Sequence, residues 1–148
     1  MRHKVLAMSM LVMIVAALAG CATLPSIQLR PASVESDLTY SAFITQLRES
    51  GAKVVEPIDD IHQPFFSVIG TVILADDEYI QVFKFDTPEA AEEATSAITP
   101  DGSSADGFSW AAHPHCFKQG SLIVLYGGTN LTLRNDLRQI LGTQFAGQ

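Results

Sequence analysis

His113-Pro114-His115-Cys116 is the densest concentration of reactive side chains in the sequence. Two imidazoles two positions apart can share a metal ion, and a cysteine beside a histidine can act as a nucleophile with its base. Zinc would need one or two ligands beyond His113 and His115, with His62 the candidate from elsewhere in the chain. A thiol enzyme would need an Asn or Asp to orient the histidine, and the sequence singles none out. If the segment is extended, His113 and His115 point to one side and Cys116 to the other, unless Pro114 alters the path. The structural alternative packs Cys116 inward as a small apolar residue and leaves the histidines at a hairpin end or on its surface. No complete catalytic set emerges. Gly127-Gly128 lacks the remaining spacing of a phosphate-binding loop, so no cofactor is expected.

The acids offer less. Asp59-Asp60 and Asp76-Asp77-Glu78 could bind calcium or form an acid/base pair, but adjacent carboxylates in turns are ordinarily solvated. The stretch from Asp101, "DGSSADG", fails as a calcium loop at its third, fifth and twelfth positions, which are Ser103, Ala105 and Ala112. Phe65, Phe66, Phe83, Phe85, Trp110, Phe117 and Tyr126 could floor a ligand groove, although aromatic residues at strand spacing more commonly fill a core. Asn130-Leu131-Thr132 matches a glycosylation acceptor.

Cys21, the only other cysteine, sits in a different context. Arg2, His3 and Lys4 precede an apolar run of about thirteen residues, Val5 to Ala17, and then Leu18-Ala19-Gly20-Cys21. That is the layout expected of a bacterial secretory signal, and the run is shorter than the roughly 20 residues of a transmembrane helix. Leu18-Ala19-Gly20-Cys21 resembles the lipobox of bacterial lipoproteins, in which the thiol is alkylated by diacylglycerol and the chain is cut just before it. The resemblance implies a signal peptide over residues 1–20 and a thioether on Cys21 that rules out a disulfide with Cys116. It also implies membrane attachment through acyl chains, and two chains hold far more firmly than one. The absence of Asp at position 22 permits outer-membrane sorting by the same resemblance, so the expected location is the cell membrane or outer membrane, with the domain outside the cytoplasm.

The 148-residue chain has 47% hydrophobic residues, a figure inflated by the signal. Removing Arg2 and Lys4 with the signal lowers the basic count from nine to seven against sixteen acids, a net charge of −9. Such a balance disfavours nucleic acid as a partner. Residues 21–35 carry Pro25 and Pro31 with no periodicity and read as the lipidated N-terminus and a tether, spanning up to about 40 Å if extended.

Residues 36–148 must then supply the elements that position any site. Tyr40, Phe43, Ile44 and Leu47 have helical spacing, with Ser36 or Asp37 as cap and Gly51 as stop. "AKVVEP" suggests a short strand. Phe65 to Leu74 and Tyr79 to Phe85 flank a polar turn and predict a β-hairpin. Thr87-Pro88 opens a second helix with Ala90, Ala91, Ala94 and Ile98 on one face, followed by a loop and a short strand at Phe108 to Trp110. Cys116-Phe117 and Ser121 to Tyr126 predict another hairpin, whose continuous apolar run Leu122 to Leu125 suits a central strand. Thr129 or Asn130 starts a final helix with Leu133, Leu137, Ile140 and Leu141 on one face. Two successive hairpin-then-helix units suggest a weak internal repeat. The expected fold is a single α+β domain, mainly an antiparallel sheet of hairpins with helices packed on it.

At "QPFFSVIG", "TPDGSS", "HPHCF", "GSLIVLYGG" and "LGTQFAG" the chain resembles a group of small, uncharacterised bacterial envelope proteins over roughly residues 40–147. The resemblance implies one exported domain and carries no activity or site residues. The reading is a lipid-anchored envelope protein whose noncatalytic domain binds an envelope protein or small ligand. The alternative is a metal-binding protein or thiol/histidine enzyme built on His113, His115 and Cys116.

Overall fold

The computed structural model describes residues 37–110 and 114–147. They form an α+β domain: α1 (Tyr40–Glu49), β1 (Val54–His62), β2 (Ile69–Ala75), β3 (Glu78–Lys84), α2 (Pro88–Thr95), β4 (Ser104–Ala105), β5 (Phe108–Ser109), β6 (His115–Gln119), β7 (Leu122–Tyr126) and α3 (Leu131–Leu141). One five-stranded sheet runs β1-β2-β3-β7-β6, antiparallel throughout, and β4-β5 is a separate small hairpin. Among the described residues no helix is long and apolar enough to cross a membrane.

The sheet is covered on both faces. On the first, Phe43, Ile44 and Leu47 of α1 and Leu133, Leu137 and Leu141 of α3 pack against Ile73, Ile80, Val82, Val124, Tyr126 and Phe117. Each such fully buried side chain contributes about 1.5–3 kcal/mol of hydrophobic stabilisation. On the second, Ala91 of α2 and Ile98 join Phe66, Phe83, Phe85, Ile123, Leu125 and Cys116. β7 lies between β3 and β6 with all five residues buried, which is why Leu122 to Leu125 reads as a continuous apolar run rather than an alternating one.

Local chemistry sets the ends of the elements. The Asp76-Asp77 turn has both residues at positive φ, 47° and 64°, the two-residue turn whose twist matches a hairpin. Asn130 Oδ1 accepts from the backbone N–H groups of Thr132 (3.0 Å) and Leu133 (3.2 Å), capping α3. Its side chain therefore has a structural task within the glycosylation-like tripeptide. Thr87 caps α2 by accepting from Ala90 N–H at 3.1 Å, with Pro88 at the first helical position as expected. At Gly70 a Cβ would lie 2.5 Å from the Phe83 ring, so only glycine lets that ring lie across β2.

Several boundaries differ from the sequence reading. Thr39, not Asp37, caps α1; Asp37 instead accepts from Ser121 N–H at 2.7 Å, tying the start of the domain to the β6–β7 turn. Ser36 lies outside the described residues. β1 is a nine-residue strand with a register shift between Val55 and Asp59 around a cis Glu56-Pro57 bond. Pro57 and the acids suit this position because β1 is a sheet edge, where a proline and charges discourage pairing with other chains. Phe65 and Phe66 precede β2 rather than opening it, because Phe66 N–H turns back to Gln63 O at 3.0 Å. Ile98 lies beyond α2 and bridges to Ala105. The other edge, β6, is covered by the C-terminal segment through Cys116 N–H to Ala146 O and Phe145 N–H to Cys116 O, both 2.9 Å.

The suggested repeat does not extend to three dimensions. A two-fold axis normal to the sheet would superpose β2–β3 on β6–β7, but it would also place both following helices on one face. α2 and α3 pack on opposite faces.

Candidate functional site

The HPHC segment is divided by the sheet. His113 lies outside the described residues, as does Cys21, so neither the metal role of the first nor the lipidation of the second has a structural description. His115 and Cys116 are neighbours on β6 and therefore face opposite ways. His115 lies on the α1/α3 face, in register with Tyr126, their rings 6.0 Å apart and inclined 28°. Cys116 lies on the α2 face, fully buried, its Sγ 3.6 Å from the Pro114 carbonyl oxygen. Burial pushes the Cys116 thiol up to about 12, which keeps it protonated and a poor nucleophile at neutral pH.

His115 is 7% exposed. Burial first, and the Arg134 guanidinium second, lower its pKa from the ordinary value. Its Nε2 is 3.5 Å from Arg134 Nη1. Among the described residues, His115 Nδ1, Arg134 Nε and Gln144 Oε1 are buried without a hydrogen-bond partner. His62 sits on β1, at the opposite edge of the sheet from β6. Four interstrand spacings of about 4.8 Å put these two histidines roughly 19 Å apart. Among the described residues no three His, Cys, Asp or Glu side chains gather in a metal-binding group.

The acids serve turns and strands. Asp59 and Asp60 are exposed on β1, within the strand rather than in a turn. Asp76 accepts from Lys53 N–H at 2.9 Å. Asp101 Oδ1 accepts from Thr99 Oγ1 (2.7 Å), Ser103 N–H (3.0 Å) and Ser103 Oγ (2.8 Å), closing its own loop.

The aromatic set separates into two groups. Phe117 and Tyr126 belong to the α1/α3 core. On the other face a continuous stack runs outward from the core. Phe66 meets Phe83 at 4.8 Å and Phe85 at 5.6 Å, Phe65 meets Phe66 at 4.7 Å, and Trp110 meets Phe65 at 5.4 Å, each near edge-to-face. Phe108 closes on Trp110 at 6.0 Å. Such contacts each add about 0.5–1.5 kcal/mol beyond burial, so Trp110 is braced from the core although it stands at the edge.

What Trp110 borders is a cleft of about 360 Å³, at the low end of the ~300–1,000 Å³ typical of ligand sites. Its floor is Gln81 of β3 and Leu125 of β7, direct partners across the strands. Trp110 and Pro114 line it from after β5 and before β6, Asp77 from the β2–β3 turn, and Glu78 and Tyr79 from the start of β3. Gly127 and Gly128 close the end beyond β7. Gln81 Oε1 accepts from Gln63 Nε2 at 2.9 Å, which fixes the floor amide. Tyr126 donates to Glu78 Oε2, and the Asn130 N–H donates to the Tyr126 hydroxyl at 2.8 Å. The same cleft wall is thus pinned to the cap of α3. A Cβ at Gly128 would come within 2.6 Å of the Tyr126 ring and overlap the Glu78 carboxylate, so a larger residue here would have to displace that hydrogen-bonded pair.

Sequence reasoning picked out Trp110, the Asp76-Asp77-Glu78 turn and Gly127-Gly128 separately, and missed Gln81, Tyr79 and Leu125 as site residues. No local signal joins them, because β3 and β7 become neighbours only through a non-local pairing. The lone tryptophan in a short segment between loops was the strongest available pointer. Comparison with protein-family models, curated proteins and solved structures finds no match for this chain.

Proposed function

We propose that this chain is a lipid-anchored, noncatalytic binding module of the bacterial cell envelope. Acyl chains on Cys21 hold it at the membrane, residues 22–35 act as the tether, and the cleft beside Trp110 receives a small ligand or a side chain of a partner protein. The observation that carries the reading is that cleft: an aromatic wall braced from the core, and a polar and apolar floor set on paired strands. Sites on rigid strands present fixed contacts at low ordering cost. The buried, protonated Cys116 and its separation from His115 weigh against thiol catalysis. The signal-like N-terminus and the Leu18-Ala19-Gly20-Cys21 motif support the anchor.

Gly127 offers the test: it lines the cleft, and a Cβ built there meets nothing within 4 Å, so Gly127→Leu adds an apolar side chain at the cleft from an unhindered backbone position. The mature protein, recovered from bacterial membranes in non-ionic detergent, is mixed with envelope extract, separated by size, and its bound molecules are identified by mass spectrometry. A species retained by the wild type and lost from Gly127→Leu is the expected result. Equal retention by both removes the cleft from the account. In the same preparation, intact mass should carry acyl chains on Cys21, and Cys21→Ser should abolish membrane recovery. An unmodified Cys21 would sink the anchor.

A further inference from the structure

Among the described residues that line the cleft, the charges are one-sided. Both charged side chains that line it are carboxylates, Asp77 and Glu78, and no described Lys, Arg or His joins them. The two are held differently. Asp77 is exposed and fixed at φ 64° in a two-residue turn, while the Glu78 carboxylate turns toward the α1/α3 face, where the Tyr126 hydroxyl anchors it. Two aromatic rings, Tyr79 and Trp110, accompany them, and Tyr79 is 66% exposed. Pro114 and Leu125 add apolar surface. Carboxylates attract a cation, aromatic faces attract it again through their quadrupoles, and apolar walls accept a hydrocarbon stem. The chain's own net charge of −7 strengthens the same preference at long range.

From this juxtaposition we infer that the cleft selects a cation on an apolar stem: a primary ammonium or guanidinium group, carried by a peptide side chain or by a free alkyl amine. The inference rests on the cleft being the binding site and adds the class of ligand. The ammonium sits at the Asp77 carboxylate beside the Tyr79 and Trp110 rings, and the methylenes lie along Pro114 and Leu125. An anionic ligand is repelled, and a neutral one forgoes the charge-dependent part of the attraction.

Trp110 is the single tryptophan of the chain, so its fluorescence reports the cleft directly. The full mature protein in non-ionic detergent is titrated with four probes: Nα-acetyl-lysine amide, 1,5-diaminopentane, Nα,Nε-diacetyl-lysine amide and Nα-acetyl-glutamate amide. At least one of the first two should give a saturable change, roughly tenfold tighter than the neutral diacetyl probe, weakened by salt and by Asp77→Asn. Asn tolerates the positive φ at this position, so the variant should fold. Response to the lysine amide alone assigns a peptide source, response to the diamine alone a free amine, and response to both their shared chemistry. If the neutral or glutamate probe binds as tightly as the cations, the cation preference is overturned while the cleft remains a site. If no probe perturbs Trp110, the inference is overturned, and the Gly127→Leu comparison with envelope extract, which is indifferent to ligand charge, still decides the cleft reading.

Discussion

Tyr126 on β7 donates its phenolic proton to the Glu78 carboxylate on β3 and accepts the backbone N–H of Asn130 at 2.8 Å. One hydroxyl thereby links two strands, the wall of the cleft and the N-cap of α3. Burial, then the hydrogen bond to Glu78, raise the Tyr126 pKa, so the proton stays on the phenol and the bond persists across the neutral range. Tyr126→Phe removes both partners' contact at once and leaves the Glu78 carboxylate and the Asn130 N–H to find others. A loss of about 1–3 kcal/mol is expected, read as a lower urea midpoint with an unchanged slope. A midpoint equal to wild type would mean that the bond contributes nothing to the fold.

Cys116 should be silent to thiol reagents in the folded protein, because it is fully buried with its thiol pushed up to about 12. A chromogenic disulfide reagent at pH 8 should show no fast reaction natively and one thiol per chain in guanidinium chloride. Two thiols in denaturant would mean a free Cys21. Rapid native labelling would return Cys116 to the list of reactive groups.

His115 makes the domain sensitive to mild acid. Burial and Arg134 lower its pKa in the folded state, so the unfolded chain takes up a proton more readily than the native one. The His115 contribution is therefore fully present above the ordinary value of about 6.5 and is lost as pH falls from there through the folded value. The groups facing it are Tyr126 from β7, Arg134 and Arg138 from α3, and Gln144 from the C-terminal segment. Between pH 7 and 5.5 the urea midpoint of the wild type should fall more than that of His115→Gln. Parallel decline in the two proteins would assign the acid sensitivity elsewhere.

The parts of the fold that were legible in the sequence are those decided locally. Asn130 caps α3 because an amide there meets two orphan N–H groups, and Leu122 to Leu125 reads as buried on both sides because β7 is central. Propensity alone ends β1 early, because Pro57, Asp59 and Asp60 are breakers, whereas an edge strand accommodates them. Thr39 displaced Asp37 as the cap once Asp37 had a partner at Ser121, a contact far away in sequence. The placement of α2 opposite α3 depends on how each chain segment leaves the sheet, which periodicity does not encode. The cleft was the least legible feature. Gln81 and Leu125 meet through strand pairing, and Trp110 reaches them through an aromatic stack that begins in the core.

The central claim is that the cleft beside Trp110 is where this protein binds, and a single resonance can test it. Replacing the one tryptophan with 5-fluorotryptophan gives the protein one ¹⁹F signal, at position 110. On addition of envelope extract, the wild-type signal should shift or broaden, and that of Gly127→Leu should stay in place. A wild-type signal that does not move, or one that moves equally in the Gly127→Leu variant, would contradict the account.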